Sequence, residues 1–380
     1  AGIIAGEFLA LIFTLAFISS IVVLMKSMVS EKELRLREGM QIMGLKGSLY
    51  WSSWFLTHWG VLLITCFLCA AIGVYPFQYS NPGLMFLFFA LWSASLIMFA
   101  YFLSCFFSRA RLASNVGIVL YIGSLAPAIV VRTTNPFGNG SWTLTCLLPG
   151  SAMYWWGAVV ARLEDAQLGV QSSSLSKSIA AGVDFGAGTV IGMVVLDIFL
   201  YALLTWYFDK VLPKQFGVRL PPWFFLTKSY WSGPGDEAVN VSKLKIEESE
   251  NIEPLTEEEQ ANAAVQIHKL VKQFPGGATA VDELSLSFSK GHISALLGHN
   301  GAGKTTTISM LTGMLEPTSG VALIAGRNIR TDMLTIRKSL GVCPQFDILW
   351  PVLTVREHLA LYAAFQGIPA EKIEAEINQR

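Results

Sequence analysis

The chain has 380 residues, of which 53% are hydrophobic and only 14% are charged, and its mean hydropathy is +0.50. Soluble proteins average about 25% charged residues, and the composition excludes a disordered or collagen-like chain. The formal net charge is zero, so the protein has no overall field that would attract nucleic acid. Five cysteines in a chain of this length do not form a disulfide scaffold.

Charge is distributed unevenly along the chain. Residues 1–231 carry 23 charged side chains, whereas the shorter stretch 232–380 carries 31. The first stretch has the composition of a membrane protein, and we expect a multi-pass α-helical membrane domain there. Residues 232–262 are rich in glutamate and contain no aromatic residue, so they are predicted to form an acidic flexible linker. Residues 263–380 are predicted to form a soluble domain.

Five apolar runs are long enough to cross a membrane as helices, which takes about 20 residues. Basic residues are concentrated after the first, third and fifth runs, and the loop after the second run has no charge. Because cytosolic loops carry the excess of lysine and arginine, this pattern places the N-terminus outside and the soluble domain in the cytosol. The plasma membrane and endomembranes are not distinguished. The predicted spans are residues 3–25, 50–74, 84–107, 113–131 and 189–208.

The long loop between the fourth and fifth spans contains an apolar segment, residues 142–160, that a Pro-Gly pair interrupts. Two short pieces cannot each cross the membrane, so we predict an outer re-entrant or interfacial segment with Trp155 and Trp156 at headgroup depth. Asn139 heads an Asn-Gly-Ser sequence. That sequence is an acceptor for N-glycosylation where the loop faces a lumen or the exterior.

The first basic loop is predicted to contain a cytosolic helix over residues 30–44. Ser30 and Glu33 match a capping box, which starts a helix, and Gly44 is suited to end it. Two interpretations of this helix remain open. It is either an amphipathic helix on the membrane surface or a helix that transmits motion to the soluble domain.

Two carboxylates lie within apolar runs, Glu7 near the outer end of the first and Asp197 near the middle of the last. An ionisable side chain inside the membrane is costly, and by default it indicates a functional role. Two interpretations stay open for these carboxylates. The side chain either hydrogen-bonds a neighbouring helix or contacts a substrate or an ion.

The soluble domain has the sequence pattern of an α/β P-loop NTPase. Residues 265–271 and 284–288 alternate like half-buried strands, and residues 293–297 form a short apolar run typical of a buried parallel strand. The pattern G-x-x-x-x-G-K-T follows at Gly298–Thr305, and a helical run follows at 306–315. This order of strand, loop and helix is the context that a phosphate-binding loop requires.

The residue types in this loop match the chemistry of a nucleotide phosphate. The glycines let backbone N–H groups turn inward, where they and the helix N-terminus bind anionic oxygens. Lys304 reaches the β- and γ-phosphates as a point charge, and the Thr305 hydroxyl is a ligand for Mg²⁺. We therefore expect ATP and Mg²⁺ as cofactors.

Four stretches together resemble the ABC transporters of subfamily A. They are GHNGAGKTTT at 298–307, GVCPQFDILWPVL at 341–353, EKELRLREGMQIMGL at 31–45, and the region 206–225. The resemblance covers essentially the whole chain. It implies an ABC-2 type membrane domain followed by the N-terminal part of an ABC nucleotide-binding domain.

The resemblance also implies roles for individual residues. Phe274 matches the aromatic residue that stacks on adenine; the alternative is a core aromatic before a turn. Gln345 matches a glutamine that contacts Mg²⁺ and the attacking water. Lys304 and Gln345 are therefore the candidate catalytic residues, and Thr305 and Gln345 the candidate metal ligands. The implied phosphate-binding residues are Gly298, His299, Asn300, Gly301, Ala302, Gly303, Lys304, Thr305 and Thr306.

The signature, Walker B and switch-histidine motifs of this family have no match in the sequence, so we expect a fragment of a longer transporter. In such a transporter a second nucleotide-binding domain supplies the signature motif. The implied function is ATP-driven transport of a lipid or another hydrophobic amphiphile, with membrane lipid as a partner. The alternatives are an ATP-gated channel or regulatory protein, and an exporter of drugs, peptides or ions.

Overall fold

The structure is a computed structural model that falls into two compact units. They are a helical unit, Ala1–Leu34 with Ser48–Leu212, and a mixed unit, Arg35–Gly47 with Pro213–Arg380. The described residues are 2–45, 47–134, 139–178, 184–212, 221–226, 230–231, 263–274, 277–337, 339–344 and 347–379.

Several predicted features lie outside the described residues. They are the acidic linker at 232–262, the side chains of Glu7 and Asn139, and the whole of Gln345. The predictions for these residues stay predictions.

The helical unit contains the five predicted membrane spans. Its helices are α1 (Gly2–Ala16), α2 (Ile18–Glu33), α4 (Gly47–Gly73), α5 (Pro82–Ser104), α6 (Ala110–Gly123), α7 (Ala126–Thr134), α8 (Asn139–Thr145), α9 (Pro149–Asp165) and α10 (Ala187–Val211). Among the described residues, five stretches are long and apolar enough to cross a membrane: Ala10–Glu33, Gly47–Gly73, Pro82–Ser104, Ala110–Thr134 and Ala187–Val211. The first stretch lies further along the chain than its predicted position.

Charged side chains at the end of α2 extend this helix beyond the predicted first span. The Lys32 ammonium donates to the main-chain oxygens of Cys105 and Phe107, at 3.3 and 2.9 Å, just beyond the C-terminus of α5. The Glu33 carboxylate accepts from the N–H of Ala110 at 2.9 Å, at the N-terminus of α6. Each charge therefore lies at the helix end whose dipole it complements.

The predicted cytosolic helix at 30–44 begins later than its capping pattern indicates. Ser30 lies inside α2, and the next helix, α3, spans Leu36–Ile42. Arg35 separates the two helices with a left-handed φ of +58°. The prediction of a capping box at Ser30 is therefore wrong. Ser30 lies inside α2, because this helix packs against its neighbouring helices and continues past that residue.

Gly44 ends α3 in the way that the sequence predicts. Its φ is +107°, and its N–H donates to the oxygen of Gln41 at 3.1 Å. The N–H of Leu45 donates to the oxygen of Met40 at 2.9 Å. This pair of hydrogen bonds is the Schellman motif, which depends on the left-handed residue that glycine provides.

The predicted outer segment, residues 142–160, covers the end of α8 and most of α9. Its two central indoles are buried inside the protein, where Trp155 is 1% exposed and Trp156 is 2% exposed. Trp155 stacks on Trp142 at a ring separation of 4.6 Å, and Trp156 stacks on Phe88 at 3.8 Å. Aromatic partners within the unit therefore cover both rings, and the depth of these rings in a membrane stays a prediction.

The mixed unit combines α3 with a small antiparallel sheet and further helices. These elements are β1 (Ala263–Gln273), β2 (Thr279–Ser289), α11 (Lys304–Leu311), β3 (Ser319–Ile324), β4 (Arg327–Asn328), α12 (Met333–Ile336), α13 (Val355–Phe365) and α14 (Ala370–Gln379). The strand order is β2-β1-β3-β4, and each neighbouring pair is antiparallel. The strands predicted at 265–271 and 284–288 are confirmed as β1 and β2.

The buried parallel strand predicted at 293–297 is wrong. These residues form no strand, and the side chains of Ile293 and Leu297 are exposed. A buried parallel strand needs hydrogen-bonding neighbours on both sides. The described sheet, whose edges are β2 and β4, provides none beside these residues.

The core of the mixed unit packs α11 against the sheet. Ile267 and Leu270 of β1 are fully buried and belong to one apolar cluster with Met310 of α11 and Ala322 of β3. Burial of such side chains stabilises a fold by about 1.5–3 kcal/mol each. The cluster therefore fixes α11 relative to the sheet through the last turn of the helix.

Candidate nucleotide-binding site

The loop before α11 has a backbone that requires glycine. Gly301 and Gly303 have φ of +87° and +83°, in the left-handed region that other residues rarely adopt. Gly303 also lies close to β2, since a Cβ atom there would be 2.3 Å from the main-chain oxygen of Ala280. The loop is thus curved tightly and held against the first residues of β2.

Lys304, the first residue of α11, folds its side chain back over this loop. Its Nζ donates to the main-chain oxygen of Gly298 at 2.6 Å and to that of His299 at 2.8 Å. The side chains of His299, Asn300 and Ala302 are exposed. An ammonium group held in the curve of an exposed loop is suited to bind an anionic ligand.

The first turn of α11 offers backbone donors and an accessible hydroxyl. The first N–H groups of a helix lack partners within the helix and together attract anions. The N–H and the hydroxyl of Thr307 both donate to the oxygen of Gly303, at 2.8 and 3.0 Å, and this fixes the start of the helix. Thr305 is exposed and Thr306 is half-buried, so the Thr305 hydroxyl is accessible to a metal ion.

Phe274 lies in the turn between β1 and β2, near the same loop. Its N–H donates to the oxygen of Ala278 at 2.9 Å and closes the turn. The ring is half-buried, and its centroid lies 5.8 Å from Nζ of Lys272, whose pKa is lowered by burial. The turn leads within two residues to Ala280, which contacts Gly303. Phe274 and the loop residue Gly303 therefore lie at the same end of the sheet, where β1 ends and β2 begins.

Helix α3 contacts the segment that follows Gln345. A Cβ atom at Gly39 would lie 2.4 Å from Cδ1 of Ile348, so the helix backbone approaches this side chain closely. The sequence does not identify Ile348 as a contact residue of α3. Its only signal is its place in the GVCPQFDILWPVL motif. Around the contact is a pocket of about 410 Å³ with an apolar lining that includes Ile42, Met43, Val342, Leu349, Leu359 and Ile377.

Two protein-family models match the chain. The model described as ABC-2 family transporter protein matches residues 1–207, and the model described as ABC transporter matches residues 281–380. The first match covers most of the helical unit and also Arg35–Gly47 of the mixed unit. The second contains most of β2 and the whole phosphate loop.

Curated relatives match nearly the whole chain. They include the human phospholipid-transporting ATPase ABCA3, at 40% identity over 98% of this chain and 23% of its own length. The mouse retinal-specific phospholipid-transporting ATPase ABCA4 is 36% identical over 99% of this chain and 17% of its own. The rat ATP-binding cassette sub-family A member 7 is 37% identical over 97% of this chain and 17% of its own.

The chain thus spans less than a quarter of the length of these relatives. One family model nevertheless covers more than half of the chain, and the second covers the part of the mixed unit that contains the loop Gly298–Thr305. The protein therefore belongs to the ABC transporters, with a membrane domain of the ABC-2 family, an ABC nucleotide-binding domain and close similarity to members of subfamily A.

Proposed function

We propose that this chain is part of an ATPase that moves phospholipids or similar amphiphiles across a membrane. The observation that carries the proposal is the phosphate loop, where Gly298 and His299 hold the ammonium of Lys304. The same chain contains five candidate membrane spans in its described residues. A nucleotide site and spanning helices in one chain provide the two parts that ATP-driven transport needs.

In the proposed site, the residues from Gly298 to Thr306 bind the phosphates of ATP, and Phe274 stacks on adenine. Lys304 exchanges its carbonyl partners for phosphate oxygens and stabilises charge that develops during phosphoryl transfer. Thr305 and Gln345 hold Mg²⁺, and Gln345 also orients the attacking water. When bound, ATP and Mg²⁺ supply the free energy of hydrolysis and the neutralisation of phosphate charge.

The proposed transporter needs a second nucleotide-binding domain. That domain supplies the signature motif to the ATP held by the phosphate loop of this chain, either from the same polypeptide or from a partner. We place both domains in the cytosol, because basic residues follow the first, third and fifth spans. The spans make the protein a multi-pass membrane protein.

Helix α3 is the proposed link between the nucleotide site and the spans. It follows α2, which is part of the first span, and its Gly39 contacts Ile348 three residues after Gln345. Movement of the segment after Gln345 therefore reaches α3 directly. This proposal favours the interpretation of α3 as a helix that transmits motion over that of a helix lying passively on the membrane.

Phospholipid is the proposed cargo. Two of the relatives are named phospholipid-transporting ATPases, and they are similar to this chain along nearly its whole length. The spans of this chain contain few charged residues. An apolar path of this kind is compatible with acyl chains and unfavourable for highly charged solutes.

Reconstitution of the purified full-length protein into liposomes tests this proposal. We expect Mg²⁺- and ATP-dependent movement of a fluorescent phospholipid between leaflets, and its loss in the Lys304→Met variant. ATPase activity that ignores phospholipid but rises with a soluble drug would instead support an exporter. An ATP-dependent ion current without lipid movement would support a channel.

A further inference from the structure

A buried histidine lies beside the segment that contacts α3. His358, in the first turn of α13, is 8% exposed. Its Nε2 lies 2.9 Å from the main-chain nitrogen of Trp350, and its Nδ1 lies 2.9 Å from the main-chain oxygen of Thr354. The imidazole thus joins the helix to the preceding segment by two hydrogen bonds.

These partners assign the protonation state of the ring. The carbonyl of Thr354 can only accept, so Nδ1 carries a proton and donates it. The N–H of Trp350 can only donate, so Nε2 has no proton and accepts. His358 therefore donates through Nδ1 and accepts through Nε2.

A second residue of α13 holds the same segment two residues earlier. The Tyr362 hydroxyl donates to the main-chain oxygen of Ile348 at 2.9 Å. The rings of Trp350, His358 and Tyr362 also contact one another, with centroids 5.9–6.5 Å apart. We call Trp350, Thr354, His358 and Tyr362 the α13 clamp.

The clamp determines where Ile348 meets α3. The Ile348 main chain is held by Tyr362, and the Trp350 main chain by His358. The Ile348 side chain contacts α3 at Gly39. A backbone fixed at these two points can transmit a displacement, whereas a backbone held at one point can rotate about it.

We propose that His358 is a positioning residue that couples the ATP site to α3, by accepting from the N–H of Trp350 through Nε2 and donating to the oxygen of Thr354 through Nδ1. The inference rests on the proposed transport function. Loss of the bond to Trp350 leaves the segment held only by Tyr362 at Ile348, so the position of Ile348 against α3 is less fixed and the coupling weakens.

Two variants separate the roles of the ring nitrogens. His358→Gln places a terminal amide oxygen near the position of Nε2, so it can still accept from Trp350, and it does not titrate. His358→Asn ends near the position of Nδ1, so it can donate to Thr354 but cannot reach Trp350. Val355→Ala is the matched control, because it changes an exposed side chain in the first turn of α13 and retains both partners of the imidazole.

Hydrogen exchange of the peptide that contains Trp350 tests the clamp in the full-length protein in lipid nanodiscs. We expect exchange to rise at least about tenfold in His358→Asn and to stay near the wild-type rate in His358→Gln and Val355→Ala.

Lipid-stimulated ATPase activity tests the functional half of the inference. We expect His358→Asn to lose most of the stimulation while its affinity for ATP stays within about twofold of wild type, and His358→Gln to retain stimulation. Wild-type protection in His358→Asn, or equal losses in both variants, would overturn the proposal. If the wild type shows no lipid stimulation at all, the proposed function fails, and the exchange data still decide whether the clamp exists.

Discussion

The Lys304 side chain reaches back over its own loop and donates a hydrogen bond of 2.6 Å to the main-chain oxygen of Gly298. The ammonium is thereby occupied by neutral carbonyl acceptors. Phosphate oxygens carry negative charge and form stronger hydrogen bonds with a cation than carbonyls do. Nucleotide binding can therefore replace these partners by rotation of one side chain, while the glycine-dependent backbone stays in place.

We predict that Lys304→Met weakens ATP binding at least about tenfold, since a charge-assisted hydrogen bond contributes about 1.5–3 kcal/mol. Binding of a fluorescent ATP analogue to the full-length protein measures the change. Lys290→Met removes an exposed lysine just after β2 and serves as the matched control. Equal affinities of the Lys304→Met variant and the wild type would contradict the assignment of Lys304 to the phosphates.

Gly303→Ala should destabilise the phosphate loop by about 1–3 kcal/mol, the cost of a non-glycine residue in a strained backbone conformation. The φ of +83° disfavours any side chain, and the new methyl group would meet the oxygen of Ala280 at 2.3 Å. The midpoint temperature of thermal unfolding and the affinity for ATP should both fall. Gly341→Ala is the control, because a Cβ atom there has no neighbour within 4 Å. Equal effects of the two substitutions would argue against the tight approach of the loop to β2.

The features that the sequence predicts well are those set by local patterns. An apolar run of span length must be helical in a membrane, and a phosphate loop is defined by its glycines and lysine over eight positions. The end of α3 is also local, because the left-handed Gly44 ends the helix with main-chain hydrogen bonds to residues of its last turn. These elements need no distant partner.

The features that the sequence does not predict depend on contacts between distant residues. Lys32 and Glu33 extend α2 because they meet the ends of α5 and α6, more than 70 residues away. Trp156 looks interfacial by composition, yet Phe88 covers its ring. The role of His358 likewise follows only from its hydrogen bond to Trp350, and the spacing of these residues in the sequence does not predict that bond.

The contact between Gly39 and Ile348 predicts a pair of compensating substitutions. Gly39→Ala places a methyl group 2.4 Å from the position of Cδ1 of Ile348, and overpacking of this kind costs about 1–3 kcal/mol. We expect lipid-stimulated ATPase activity to fall while ATP affinity is retained. Ile348→Val removes Cδ1 and should restore stimulation in the double variant.

The double-mutant cycle separates direct contact from general damage. The free-energy effects of substitutions at two residues in contact deviate from their sum by about 0.5–3 kcal/mol. Effects at distant sites add within about 0.5 kcal/mol. Gly60→Ala is the control for substitution in a helix, since a Cβ atom there meets no neighbour within 4 Å. Additive losses in the Gly39 and Ile348 variants would show that the two residues do not act through one contact.

Asp197 is the buried carboxylate of the last span. It is fully buried, and neither of its side-chain oxygens has a hydrogen-bond partner among the described residues. One turn further along α10, the ring of Tyr201 lies 5.3 Å from that of Phe99 on α5. Ser95, one turn before Phe99, is also fully buried, and its hydroxyl has no partner in the described part of the chain.

We predict that Asp197→Asn leaves the free energy of unfolding unchanged or raises it by up to about 1–3 kcal/mol, because it removes an ionisable group whose burial no described partner offsets. Lipid transport should be retained. Thermal unfolding and transport in liposomes measure the two effects, and Ser95→Ala controls for loss of a buried polar group on the facing helix. Loss of transport with unchanged unfolding would instead assign the Asp197 carboxyl to a substrate or an ion, since packing alone would be preserved by an amide of the same shape.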